Sequence, residues 1–194
     1  MIGRLLTAPF GSIWKLKTIC YRSNGGIVAK LAKLVYQIYQ YENNSSVAWN
    51  SAFASEPCFP HGMKSVFVSG DAKVGRNCVI FQQVTIGSIT LPDSAGAGAP
   101  TIGDNVYIGA GAKIVGNVVV GDNVRIGANA VVYKDVPSNS VVVGGEQKII
   151  VKEATLDNRF FSSHGGRWVY FDNGEWISVD REPNPDLQLT HRDR

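Results

Sequence analysis

The chain is short of the side chains on which metal, redox and disulfide chemistry depend. Its three cysteines (Cys20, Cys58, Cys78) and three histidines (His61, His164, His191) are scattered without metal-ligand spacing. No metal is therefore expected, and unpaired, reduced thiols point to a cytoplasmic setting. Charged residues are 18% of the chain, against roughly 25% in an average domain. No apolar run approaches the ~18 residues of a membrane span. Lys15 and Lys17 interrupt the apolar N-terminus and no convincing cleavage site follows, so no signal peptide is expected. The formal net charge of +3 is a mild excess, which suits a phosphate-bearing ligand without requiring nucleic acid. At 194 residues the chain can build one good core with a small appendage.

What the chain does have is a period. From Val68 to Pro137 an aliphatic residue recurs every sixth place: Val68, Val74, Ile80, Ile86, then Ile102, Ile108, Ile114, Val120, Ile126 and Val132. Four places after these openers come small or β-branched residues such as Ala72, Cys78, Val106, Ala112, Val124 and Ala130. A hexad fits neither the helical period of about 3.6 nor strand alternation of about 2. It fits a parallel β-helix in which each hexad is one side of a triangular coil and the opener points inward. Gly103, Asn105, Gly121 and Asn123 recur where corners would need positive φ.

Residues 1–45 read as a basic helical segment. Ile27, Leu31, Leu34, Val35, Ile38 and Tyr39 form one helical stripe, a shorter helix is expected around Ile13 to Tyr21, and Asn24-Gly25-Gly26 separates the two. Two readings stand: a cap over the open end of the solenoid, with a solvated basic face, or a weak peripheral membrane contact helped by Phe10 and Trp14. Residues 46–67 continue the hexads backwards as Val47, Phe53 and Phe59 but without corner glycines, a worn first coil ending at Phe59-Pro60-His61-Gly62. His61 falls at a corner, followed by a glycine that lets a ligand or second chain approach, and imidazole is the natural proton acceptor at neutral pH. Cys58, three residues earlier, offers a covalent alternative, disfavoured by its apolar setting.

Here the residues resemble a family. His61-Gly62, the run Val79 to Gly87, a Gly-rich break, and Ile102-Gly103 through Ile108-Gly109-Ala110-Gly111-Ala112-Lys113 are similar in order and spacing to the serine acetyltransferases. They resemble still more closely the serine acetyltransferase-like enzymes that O-acetylate sugars for surface polysaccharides. The likeness covers roughly residues 46–150. It implies a left-handed β-helix, acetyl-CoA as donor, a homotrimer with sites between subunits, and His61 as general base. Two positions depart from the pattern: Ser46 stands where serine acetyltransferases carry the Asp that orients the base, and Ala99 where a second histidine precedes Pro100. Both weaken serine as the acceptor more than they weaken acetyl transfer.

By the same matching, Ala110 and Ala128 would line the CoA groove, with Tyr133 and Lys134 near its nucleotide end. Lys148 would meet a CoA phosphate, and Gln82 and Ala99 would contact the acceptor. Residues 88–100 form a loop thrown from a corner, since Ile86 and Ile102 are 16 apart, where 12 would keep register with one hexad between them. Beyond residue 150, Arg167 to Phe171 and Glu175 to Ile177 flank Asp172-Asn173-Gly174, a β-hairpin signature. From Arg181 the chain is polar and expected to be disordered.

The fold class expected is thus mainly β: a left-handed parallel β-helix of hexapeptide repeats over 46–149, a helical segment before it, and a C-terminal extension, 150–194, with a hairpin. The function expected is acetyl-CoA-dependent O-acetylation of a sugar or polysaccharide precursor. L-Serine is the alternative acceptor, and a β-helix that binds without catalysing is the rival of another class. A zinc-binding branch of this architecture needs three histidines; only His61 lies in the repeats.

Overall fold

The computed structural model describes residues 2–22, 25–91, 93–145, 148–159, 161–164 and 167–179. The hexads form three parallel sheets, one on each face of a prism. Face A stacks Val47, Val68, Ile86, Ile114 and Val132, each paired with the next. Face B stacks Phe53, Val74, Ile102 and Val120, and face C stacks Ile80, Ile108, Ile126 and Val142. Because the partner of Val68 is Ile86 and that of Ile108 is Ile126, a regular coil is three hexads long. Openers and their small companions fill the interior: Ile80, Ile86, Ile108, Ile114, Ala72, Cys78, Val84 and Ala112 are all at 0% exposure. Each isoleucine so buried contributes on the order of 2 kcal/mol.

The register departs from regularity at two places that matter for function. Val47 pairs with Val68 and Phe53 with Val74, so the corner carrying His61, between faces C and A, is three residues longer than a standard corner. Ile86 pairs with Ile114 and Val74 with Ile102, which puts Ile102 on the face directly after Ile86. No hexad lies between them: the insertion is about ten residues, larger than the opener spacing suggested. Sequence distance alone cannot separate one long loop from a shorter loop plus a hexad. The inserted loop folds on itself through an antiparallel bridge between Ile89 and Gly98, and Gly96 accepts the amide of Asn117 on the next coil.

The corners between faces B and C correct a second expectation. Positive φ falls on Asn77, Asn105, Asn123 and Asn139, between 54° and 58°, and not on Gly103 or Gly121. Those glycines are required by contact: a Cβ on Gly121 would lie 2.5 Å from the Ser138 amide nitrogen, and one on Gly103 would strike the Asp122 carboxylate. Asp104 accepts the amide of Arg76, Asp122 that of Asp104, and Ser138 that of Asp122, at 2.7, 2.7 and 2.9 Å. Side chains thus satisfy corner amides from one coil to the next.

Three helices precede the coils: α1 (Ile2–Thr7), α2 (Ile13–Arg22) and α3 (Ile27–Glu42). The sequence stripe on α3 is divided by the structure: Val35 is buried and Tyr39 packs on the core, but its N-terminal members face outward. Ala29, Ala32, Val35, Tyr36 and Gln40 are buried, whereas Ile27, Leu31 and Leu34 are 86%, 55% and 52% exposed. The physical reason is the edge of face A. Val47 has no strand on its outer side, and its carbonyl accepts from the Tyr36 hydroxyl at 2.8 Å while its amide donates to Gln40 Oε1 at 3.2 Å. Satisfying a bare strand edge selects the polar face. Lys17 does the same from α2, its amine donating to the carbonyls of Ser51 and Trp49 at 2.5 and 3.2 Å. Trp14 stacks on Phe59 and meets Phe53 edge-on, at 5.8 and 5.0 Å.

At the other end Lys148–Val151 pairs antiparallel with Ser140–Val143. Arg167–Asp172 and Glu175–Ser178 form the hairpin, with Phe161–His164 as a third strand. The chain from Arg181 onward lies outside the described residues.

Candidate active site

Each coil turns from face C to face A through residues that stack into one edge of the prism. In order along that edge come Lys64, Gln82-Gln83, Ala110-Gly111 and Ala128-Asn129, with His61-Gly62 just before Lys64 in the lengthened first corner. Backbone hydrogen bonds join them: Gln83 donates to Lys64 at 3.1 Å, Gly111 to Gln82 at 3.0 Å and Asn129 to Ala110 at 2.9 Å. Lys113 clamps the same edge, its amine donating to the carbonyls of Gln83 and Gly111, both at 2.9 Å. Three of the residues singled out from the sequence (Gln82, Ala110, Ala128) are therefore stacked one per coil above Lys64, and His61 lies beside the foot of that row, three residues before Lys64.

His61 is exposed, and its ring meets Phe81 edge-on at 5.7 Å; Phe81 in turn meets Tyr107 at 5.1 Å. Gly62 has φ +72°, and a Cβ there would meet nothing within 4 Å, so the space beside His61 is open. Among the described residues no carboxylate or hydroxyl bonds the imidazole. Ser46 lies on face A, opposite Phe67, and Asn50 stands over Gly70 at the corner between faces A and B. Neither orients His61 within the chain. Gln82 Oε1, one coil above, is buried and without a hydrogen-bond partner among the described residues. Cys58 is 4% exposed and burial pushes its thiol up to about 12, which removes it as a nucleophile.

The remaining site residues fall elsewhere. Ala99, in the inserted loop, and Tyr133 and Lys134, after the last face A strand, all lie on the edge between faces A and B. Lys134 sits over the Tyr133 ring at 5.4 Å. These two edges bound face A, so within one chain the groups are separated by a full face. The backbone of Lys148 is in the last strand of face C, and its side chain lies outside the described part of the structure. The sequence reading missed Asn158, which is buried and donates to the carbonyls of Asn105 and Val124 at 2.6 and 3.2 Å while accepting from Arg125 at 2.8 Å. Only a bare asparagine in an irregular stretch signals it, so the repeat pattern could not have found it. Among the described residues no cluster of His, Cys, Asp and Glu could hold a metal ion.

The coil geometry and this edge can be set beside known proteins. The family model for bacterial transferase hexapeptide repeats matches residues 99–134. The serine acetyltransferase of Staphylococcus xylosus is 36% identical over 134 residues, covering 66% of this chain and 61% of that one. The crystal structure of Neisseria gonorrhoeae serine acetyltransferase superposes with a TM-score of 0.62 at 27% identity, covering 75% of this chain and 54% of that one. A serine acetyltransferase solved in complex with CoA gives 0.60 at 25% identity, over 71% and 55%. The repeats are therefore like those of the hexapeptide-repeat transferases, and the likeness supports the left-handed winding. The chain is serine acetyltransferase-like, and it spans about three fifths of the length of that curated relative, 61%.

Proposed function

We propose that the chain is an acetyl-CoA-dependent O-acetyltransferase with His61 as general base. The observation that carries this is the edge itself, where His61, edge-on to Phe81, stands beside the foot of a row running from Gln82 through Ala110 to Ala128. Adjacent coils are about 4.8 Å apart, so the two steps from Gln82 to Ala128 give a strip of roughly 10 Å along which an extended pantetheine arm can lie. Small side chains at Ala110 and Ala128 let such an arm lie against the backbone. His61 takes the proton of the acceptor hydroxyl as its oxygen attacks the thioester carbon, and CoA leaves as the thiolate.

We infer a homotrimer with sites between subunits, a reading supported by the placement of the second set of residues. A ligand on the His61 edge cannot reach Ala99, Tyr133 or Lys134 without crossing face A, but a neighbouring copy can bring its edge between A and B alongside. The helices serve as a cap and the hairpin as a strap on the side of the coils.

The comparisons favour L-serine as acceptor over the sugar hydroxyl preferred from the sequence. One observation keeps the sugar reading: His61 has no carboxylate partner among the described residues, and Ala99 cannot supply the second imidazole. Thiol release from acetyl-CoA, measured with L-serine and with a panel of sugars, tests both. His61→Ala is expected to lower the rate on the order of a thousandfold while leaving the thermal midpoint unchanged, since the ring is exposed. A variant that keeps the rate would remove His61 from the reaction.

A further inference from the structure

The outer face of α3 is apolar and has nothing on it. Ile27, Leu31, Leu34 and Tyr41 follow one line along the helix and are 86%, 55%, 52% and 89% exposed, with Val28 beside them at 71%. On α1, which packs against α3 where Gly3 meets Tyr39, Leu5 adds a side chain at 76% exposure. Contiguous exposed apolar surface on this scale marks an interaction site.

Charge identifies the partner. Residues 1–42 hold six of the 19 cations in the chain (Arg4, Lys15, Lys17, Arg22, Lys30, Lys33) and one of its 16 acids, Glu42; Lys17 is buried against the first coil, while Lys15, Arg22 and Lys30 are exposed. The helical segment is therefore basic, while the remainder carries a slight excess of acids. Lys30 is exposed and stands one turn from both Ile27 and Leu34. A second copy of the chain laid on the same stripe would bring two basic surfaces together. A surface rich in anionic lipid complements both properties, taking the aliphatic side chains into the headgroup boundary and the cations at its phosphates. Tyr41, at one end of the stripe, is suited to such an interface. No helix among the described residues is long and apolar enough to cross a membrane, so the contact is one of lying on the surface.

We propose that α3 docks the protein on anionic membrane surfaces through Ile27, Leu31, Leu34 and Lys30. This does not depend on which acceptor the enzyme uses. Flotation with vesicles of phosphatidylcholine alone, and of phosphatidylcholine mixed with phosphatidylglycerol, tests it. The intact chain is expected to float with the mixed vesicles at low salt, to bind weakly to the neutral ones, and to be released at about 0.5 M NaCl. Leu31→Glu with Leu34→Glu should lower binding at least about tenfold, and Lys30→Glu on the order of tenfold. All these side chains are exposed, so the thermal midpoint should stay unchanged in each variant. Three outcomes overturn the proposal: no flotation with mixed vesicles at low salt, undiminished flotation of the leucine variant, or a fall in its solution mass. The last would assign the stripe to a second copy.

Discussion

At the scale of single residues, most of the consequences lie in two side chains. The His61 imidazole is exposed, and its chemistry can be removed without disturbing the coils. Lys17 is the opposite case. It is 6% exposed, and burial pulls its amine down from 10.5 to about 8. The unfolded chain keeps this proton up to about 10.5 and the folded chain releases it from about 8, so the unfolded state binds more protons across that window. The contribution of Lys17 to stability therefore rises with pH from about 8 to 10.5 and is lost as pH falls through 8. Urea midpoints at the two ends of this window should show the rise in the wild type, and Lys17→Met should remove it; equal slopes would contradict the assignment. His61 could be singled out from sequence because the interrupted hexad places it at a corner, followed by a glycine. Lys17 could not, since its role depends on which carbonyls of the first coil lie within reach.

At the scale of elements, legibility follows periodicity. The openers identify every strand from Val68 to Val132, because a six-residue pattern leaves the interior no other set of side chains. The corners were less legible. A glycine and an asparagine two places apart look equally suited to positive φ, yet in the pairs Gly103/Asn105 and Gly121/Asn123 only the asparagine adopts it. Gly103 is instead held by the coil above. Gly103→Ala should cost about 1–3 kcal/mol or more in urea unfolding, because the new methyl meets the Asp122 backbone nitrogen at 2.9 Å; a loss of a few tenths would show that the coils can part there. On α3 the hydrophobic pattern selected the helix correctly but its buried face only in part, with Val35 and Tyr39 inward and Ile27, Leu31 and Leu34 outward. Amphipathicity shows that one face is apolar, but not that this face turns inward. Here the hydrogen bonds from Tyr36 and Gln40 to the strand edge at Val47 decided the orientation.

At the scale of the whole molecule, the prism presents its proposed groups on two edges of one face. On the proposed site a monomer would hold two incomplete halves. Light scattering of the full chain is expected to give the mass of a trimer, three times 21.0 kDa; a monomeric mass would leave His61 without its proposed neighbour. The order in which contacts become available follows from the same register. Each strand of a regular coil pairs with one made three hexads earlier, so during synthesis every new rung finds its template already outside the ribosome. Asn158, which reaches back to Asn105 and Val124, can close only after the coils beneath it are wound. Synthesis and folding thus run in the same direction along the chain, with the side strap fastened last.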